Sequence, residues 1–400
     1  MPVIAWRRNF WLLVAVQAFS NGSFNVALPF IPLLIQQLGV REPAAVAAWS
    51  GIILSINALT GALFAPLWGS VADRIGRKSM VVRSSIFGGI GAALMALSPN
   101  VYILLATRAA QGVAGGFSSA AAALVGSIVP QSSLGFALGW MASAQMIGGL
   151  LGPLIGGAFC DATHEYRMVF FLTTIGTFLC AAIVGRFVHE DFVRPAPSEK
   201  SRAPVWRQIA DLMRHPEMAP MFVVIILGQV TVFSVTPVIT LHVQEMIGNS
   251  AYLATFAGAA FAIIGIGDLI ASPFLGKRSD QIGYRRVLLI STAGAALFTI
   301  PQGFVTNIWV FMALRFGVGL FLGGIIPTAY AWIGRIFPAE QRGLVYGISY
   351  SASFLGQFLG PTFGGLVAAR FGISSVFTIT GLLMIANLIW IARGVRTRVA

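Results

Sequence analysis

Charge is scarce in this sequence. Among 400 residues, 26 are basic and 13 acidic, 10% of the chain, where water-soluble domains carry roughly 25%. So few charges cannot cover the surface of a soluble fold this long. Cysteine is scarcer still: Cys160 and Cys180 are the only two, which excludes a disulfide framework and a cysteine-built metal site. The 45 glycines follow no collagen-like period. No glycine-rich loop ends in Lys-Ser or Lys-Thr, so direct energisation by a nucleotide is not expected. Apolar side chains are abundant, at 57% of residues and a mean hydropathy of +0.83. That content drives burial and excludes disorder. What remains is a polytopic membrane protein.

A spanning helix needs roughly 20 mostly apolar residues. Twelve such stretches fit between charge and turn clusters, at 10–37, 44–71, 79–97, 100–126, 132–160, 166–187, 216–244, 250–275, 286–303, 306–333, 341–368 and 373–392. One connection is long and polar: Arg186 to Glu217 holds 11 charges together with Pro195, Pro197, Pro204 and Pro216. It predicts a cytoplasmic linker over 188–215 between one six-helix bundle over 1–187 and another over 216–400. Within it Val205–Arg214 is amphipathic at helical spacing, either a helix on the inner membrane surface or a polar tether. The first stretch imitates a signal peptide, with Arg7 and Arg8 before an apolar run, but continues past Pro29 and Pro32 to Leu38. It reads as an uncleaved first helix.

The net charge of +13 has to be located before it is interpreted. Basic residues favour the cytoplasmic side of a membrane protein. With both termini cytoplasmic, 21 of the 26 bases fall inside, Arg41, Arg167 and Arg370 fall outside, and Arg108 and Arg315 lie within spans. The charge is a topology signal, and no nucleic-acid partner is needed to explain it.

The two halves repeat. Pro66, Gly69, Asp73, Gly76, Lys78 and Arg108 recur 207 residues later as Pro273, Gly276, Asp280, Gly283, Arg285 and Arg315. At an offset of 208, Gly152-Pro153 and Gly156-Gly157 recur as Gly360-Pro361 and Gly364-Gly365, and Pro29 maps to Pro237. A duplicated six-helix unit explains this, so the expected fold is twelve transmembrane helices in two pseudo-symmetric six-helix bundles. Parallel repeats of this kind place a site between the halves near the midplane, exposed to each side in turn.

Gly69 to Lys78 (GSVADRIGRK) is expected in the cytoplasmic loop after the second span, where glycine permits a tight turn. Asp73 can face the positive end of a neighbouring helix, and Arg74, Arg77 and Lys78 can face headgroups or helix C-termini. A basic inner loop alone is ordinary, but the copy at Gly276, Asp280, Gly283 and Arg285 is not. In the fifth span Gly148, Gly152 and Gly156 share a face that lets a neighbouring backbone approach. Pro153 encourages a kink there.

With these residues in view the chain resembles the major facilitator superfamily, whose signature loop has this spacing of glycine, aspartate, arginine and glycine. Arg108-Ala109-Ala110-Gln111-Gly112 is similar to the arginine motif of its drug:proton antiporter branch, and Gly148 to Gly157 resembles the antiporter motif of exporters. The stretches Trp49 to Ile52 and Ala65 to Gly69 are similar to a multidrug-resistance member of that branch. The resemblance implies that the loop motif gates the inward–outward transition. It also implies that the fifth-span motif, Gly148, Gly152, Pro153, Gly156 and Gly157, is tied to export and lies between the moving halves. Two departures stand out: Asn25 lies where that branch often has an acid in the first span, and Ala120 to Pro130 lacks an acid near the inner end of the fourth.

Ionisable groups inside the membrane are costly and tend to be functional. Arg108 and Arg315 lie about 12 Å deep at 1.5 Å per residue, serving either as ties to backbone carbonyls or in coupling and substrate binding. Asp268 lies at a similar depth. Paired with Arg315 it would be a structural or gating bridge; unpaired, burial favours its neutral form and it becomes a proton carrier. Among the uncharged polar groups, Asn25, Gln111 and Gln229 are better cavity candidates than the rest, because the resemblance places spans one, four and seven along the cavity. His242 and Glu245 read as a solvated rim at the outer end of the seventh span, with Glu245 a second proton-site candidate.

The expectation is a monomeric, multi-pass secondary transporter of the cytoplasmic membrane. It exports drug-like small molecules in exchange for protons and has no cofactor and no metal, the proton gradient being its energy source. An uptake or metabolite permease of the same fold is the alternative within transport. An enzyme is not expected, since His164, His189, His215 and His242 are scattered and no catalytic cluster accompanies them. With two membrane arginines against one clear aspartate, neutral and anionic substrates stay open beside cationic ones.

Overall fold

The structure, a computed structural model, describes residues 3–130, 133–190, 212, 214–215, 218–337 and 342–394. Among these every regular element is a helix. They are α1 (Val3–Val26), α2 (Ile31–Gln37), α3 (Pro43–Ile75), α4 (Arg77–Ala96), α5 (Val101–Val113), α6 (Phe117–Ile128), α7 (Leu134–Thr163) and α8 (Arg167–Phe187). Then come α9 (Met218–Ser234), α10 (Ile239–Ile247), α11 (Leu253–Ile282), α12 (Tyr284–Thr299), α13 (Ile308–Leu322), α14 (Ile326–Ile336), α15 (Arg342–Phe371) and α16 (Ile373–Gly394). The 188–215 linker and its stretch Val205–Arg214 lie almost wholly outside the described residues.

Among the described residues ten stretches are long and apolar enough to cross a membrane. The fourth expected span is divided between α5 and α6 at Ala114 to Gly116, with Gly116 left-handed at φ 101°. The eleventh is the 30-residue α15, where glycines, serines and Gln357 dilute the hydropathy. Both the first and seventh spans break near the conserved offset of their prolines, between α1 and α2 and between α9 and α10. Proline cannot donate the interior hydrogen bond and crowds the preceding turn.

The repeat reaches into details the residue pattern did not display. The side chain of Asn100 caps α5 by accepting from Ile103 N–H, and Asn307, 207 residues on, caps α13 by accepting from Trp309 and Val310 N–H. Gly76 and Gly283 precede α4 and α12, each at φ 93°.

Contacts divide the chain into two compact units. The first comprises Met1–Val40, Ile56–Ser198 and Asn249–Ala262. Its core gathers Phe10, Leu13, Val81, Leu124, Val125 and Cys180, with α7 running along α1 and α8 along α4. A side chain added at Gly148, Gly152 or Gly156 would strike the carbonyl oxygen of Ala18, Gly22 or Val26 respectively. Three glycines four apart thus sit on three α1 carbonyls four apart, the i,i+4 register of one helix face. The contact expected between moving halves is therefore divided. These three glycines serve packing inside the first repeat, whereas Pro153 and Gly157 meet the first turns of α11 at Gly258 and Ala254.

The second unit comprises Arg41–Ser55, Glu199–Gly248 and Ile263–Ala400. Met221, Ile225, Leu288, Ala329, Ile333 and Met384 lie in its core. Here Gly356, Gly360 and Gly364 sit on the carbonyls of Ile226, Val230 and Ser234 of α9. All six residues stand 208 positions after their counterparts in α7 and α1.

This packing makes a prediction that uses one helix as its own control. Gly152→Ala drives a methyl into the Gly22 carbonyl and should destabilise by about 1–3 kcal/mol, as overpacking does. Gly139→Ala, where a side chain meets nothing within 4 Å, should leave stability unchanged or raise it. Thermal unfolding of the purified variants in detergent checks both; equal midpoints would contradict the assignment.

Candidate functional site

The signature segment is helical to a degree its glycines did not suggest. Instead of forming a loop, Gly69 to Ile75, with Asp73 and Arg74, continue α3, and Arg77 already begins α4. Gly76 alone makes the turn, and its positive φ explains why that position suits glycine. A side chain at Gly69 or Gly276 would meet nothing within 4 Å, so neither glycine is required by close packing here. The second copy behaves alike: Asp280 belongs to α11, Gly283 turns, and Tyr284 opens α12.

An acid from elsewhere in the chain anchors the first copy. Glu190, just beyond α8, accepts the backbone N–H of Arg77 at 3.0 Å and of Lys78 at 2.8 Å, one on each carboxylate oxygen. These are free amides of a helix's first turn, and a carboxylate there also meets the positive end of the helix dipole. The Lys78 ammonium donates to the Gly185 carbonyl at 2.9 Å. Arg285 makes the matching contact to the Ala392 carbonyl, both partners shifted by 207. Reading the sequence placed Glu190 among the linker charges; its partners lie more than a hundred residues away, so no local signal could have found it.

A second carboxylate caps α11 in the same manner. Asp161, near the end of α7, accepts from Ala254 N–H at 3.0 Å and Thr255 N–H at 2.7 Å. In the second unit the Ser55 hydroxyl oxygen, on α3, accepts from both Thr362 N–H at 2.9 Å and the Thr362 hydroxyl at 2.8 Å, on α15.

The membrane-buried ions occupy three separate settings. Arg108 is 9% exposed and donates to Gln111 Oε1 at 2.6 Å, while Gln111 Nε2 donates to the Gly88 carbonyl on α4 at 3.1 Å. The guanidinium is thereby tied through a neutral amide to a helix backbone. Arg315, 2% exposed, lines a small cavity with Thr231, Thr299, Gln302, Val318 and Met384. Its guanidinium carbon lies 5.6 Å from the centre of the Phe311 ring.

Asp268 is not brought together with Arg315: among the described residues the carboxylate makes no ion pair. Its partner is Ser272, one helical turn on, whose Oγ lies 2.8 Å from Asp268 Oδ1 and 3.1 Å from the Gly323 carbonyl oxygen. Gly323 marks the junction between α13 and α14. The i,i+4 spacing of Asp268 and Ser272 was legible in the sequence; the carbonyl beyond was not.

The remaining candidates are spent on local structure or shielded. Asn25 Nδ2 donates to the Asn21 carbonyl at 2.8 Å within α1. Gln229 lies half-buried with its Cβ against Gly356. The solvated rim expected at His242 is half right. Glu245 is half-exposed, but His242 is 4% exposed, because the rings of Phe311 and Phe377 cover the imidazole at 5.3 and 4.9 Å between centroids.

The sequence profile of the Major Facilitator Superfamily matches residues 10–267 and 251–399. The chain belongs to the major facilitator superfamily. It has that superfamily's fold of twelve helices in two six-helix bundles, and it is a multi-pass membrane protein. It is 35% identical over 385 residues to multidrug resistance protein MdtG of Dickeya zeae (strain Ech586), covering 96% of this chain and 93% of that protein. It is 33% identical over 394 residues to multidrug resistance protein MdtG of Enterobacter lignolyticus (strain SCF1), covering 98% and 93%. In fold it is similar to a bacterial homologue of the human lysosomal transporter Spinster in an inward-facing, unoccupied conformation, with TM-score 0.75, 15% identity and 99% and 96% coverage. A mutant of the nucleoside transporter NupG superposes with TM-score 0.78 at 11% identity, over 96% of this chain and 100% of that one.

For this superfamily member the Glu190 cap is directly testable. Glu190→Ala frees the amides of Arg77 and Lys78, and losing such a cap costs about 1–2 kcal/mol. Amide hydrogen exchange at the start of α4 should therefore accelerate about tenfold, with exchange in α12 unchanged. Equal acceleration in both helices, or in neither, would refute a local cap.

Proposed function

We propose that this chain exports drug-like small molecules across the cytoplasmic membrane in exchange for protons, by alternating access of its two repeats. The similarity to multidrug resistance proteins over nearly the full chain supports a drug-type substrate and outward direction. The proton-counting geometry at Asp268 carries the coupling.

A serine hydroxyl has one proton to donate. Ser272 Oγ stands within hydrogen-bond distance of two acceptors, the Asp268 carboxylate and the Gly323 carbonyl. Both contacts are complete when Asp268 itself carries a proton, donates it to Ser272 Oγ, and Ser272 donates to Gly323. An unpaired acid half-way along a membrane helix prefers this neutral form, because ionisation in a poorly hydrated site is costly. Ionised Asp268 would compete with the Gly323 carbonyl for the hydroxyl proton, loosening the junction of α13 and α14. Loading and unloading one proton would thus act on a helix junction, which is what coupling to a conformational change requires.

Arg108 and Arg315 contribute fixed positive charge, Arg108 held through Gln111 and Arg315 at a cavity wall. The signature segments at Gly76 and Gly283 gate the transition. The chain works as a monomer with both termini in the cytoplasm, where 21 of its bases lie, and needs no cofactor beyond the proton gradient.

In liposomes with an imposed pH gradient, Asp268→Asn should abolish gradient-driven transport of any compound the wild type moves. Exchange of that compound down its own gradient should survive, since asparagine can keep the contact to Ser272. Driven transport equal to wild type would remove Asp268 from the mechanism.

A further inference from the structure

The imidazole of His242 is held at both ring nitrogens by acceptors. Nε2 lies 3.0 Å from the backbone carbonyl oxygen of Gln302. A carbonyl can only accept, so this nitrogen carries a hydrogen. Nδ1 lies 3.2 Å from Glu245 Oε2, one turn along α10. In a neutral ring with Nε2 protonated, Nδ1 presents a lone pair, and a lone pair facing a carboxylate oxygen repels it. The observed contact therefore contains one more proton, on the ring or on the carboxyl group.

From this we infer that His242 and Glu245 form a proton-binding dyad, distinct from Asp268 and adjoining the Arg315 cavity. The proton comes from water at the half-exposed Glu245 and lodges between Glu245 Oε2 and His242 Nδ1. On release it returns to water by the same side chain, leaving the lone pair and carboxylate to separate. Gln302 connects this event to the interior, since its carbonyl holds the buried edge of the ring while its residue lines the cavity with Arg315.

Few other charges bear on the dyad. Among the described residues the elements packed most closely against α10 are α13 and α16, with Ile300–Phe304 contributing the Gln302 carbonyl. In α13 the only titratable or charged group is Arg315, which lies against the same Phe311 ring that His242 touches. In α16 it is Arg393, 16 residues beyond Phe377 and so about 24 Å along the helix. Ile300–Phe304 has none. An added proton at the dyad therefore opposes the buried Arg315 cation, which shares the Phe311 ring with His242, and its loss leaves a carboxylate that favours that cation. Proton occupancy would tune how strongly Arg315 attracts an anionic group in its cavity. This coupling rests on the proton-antiport reading, whereas the dyad's proton binding does not.

Nitrogen NMR of the full chain in nanodiscs, with histidine rings labelled, tests it. The sequence has four histidines, and His242→Gln assigns the resonance by its loss. At the low end of the accessible pH range wild-type His242 should show two protonated nitrogens, and at the high end only Nε2. In Glu245→Gln the amide can donate to Nδ1, so one protonated nitrogen is expected at both ends, and Glu245→Asp should restore the wild-type pattern. Nδ1 protonation that is identical in wild type and Glu245→Gln would overturn the dyad. In proteoliposomes, Glu245→Gln should shift the pH dependence of driven transport, and an unchanged dependence would overturn the coupling. Absence of any wild-type flux would instead count against the export reading while leaving the titration result standing.

Discussion

A polar group inside the hydrocarbon must find its hydrogen-bond partners within the protein, since no water is there to supply them. The described helices supply such partners in three ways. Serines and threonines turn back on their own helices: Ser50, Thr173 and Thr299 each donate to the carbonyl four residues earlier. Glycine ladders let helices approach until backbone meets backbone, in α1 with α7 and in α9 with α15. Ionisable groups are then left with single neutral partners, Gln111 for Arg108 and Ser272 for Asp268. A charge so lightly held is sensitive to one proton, and this sensitivity is what the proposed mechanism uses.

Because the fold is a repeat, many structural solutions occur twice, and the proposed proton sites lie where the copies differ. Asn100 and Asn307, Gly76 and Gly283, Arg108 and Arg315 are matched pairs. Asp268 is not: its counterpart 207 residues earlier is Gly61. Nor is the dyad, since His242 and Glu245 correspond to Leu34 and Gln37 at an offset of 208. Asp161 corresponds to Ala369 and Glu190 to Thr397. The proton-handling acids proposed here belong to the second repeat and the helix-capping acids to the first.

Much of this was legible in the sequence, and the rest was not for a physical reason. Helix positions, the duplication and the three ionisable groups within spans follow from hydropathy and spacing, which are local or periodic signals. The helical continuation through Gly69 was missed because glycine permits a turn without requiring one; only Gly76, with its positive φ, needed it. His242 reads as rim from its place at the outer end of the seventh span, whereas Phe311 and Phe377, distant in sequence, bury it. Glu190 and Asp161 carry no local signal of their roles, because only tertiary structure places helix N-termini against them. The face formed by Gly148, Gly152 and Gly156 was recognised correctly as a close-packing surface, but its partner is α1.

The central claim is that substrate and proton move in opposite directions through the same chain. Proteoliposomes loaded with a pH-sensitive dye and an acidic lumen test it most directly, when neutral, anionic and cationic drug-like compounds are added outside one at a time. The account predicts that at least one compound enters and that the lumen turns alkaline as it does so, with neither change in protein-free liposomes. Compound entry with no movement of protons, or no response to any compound, would contradict it.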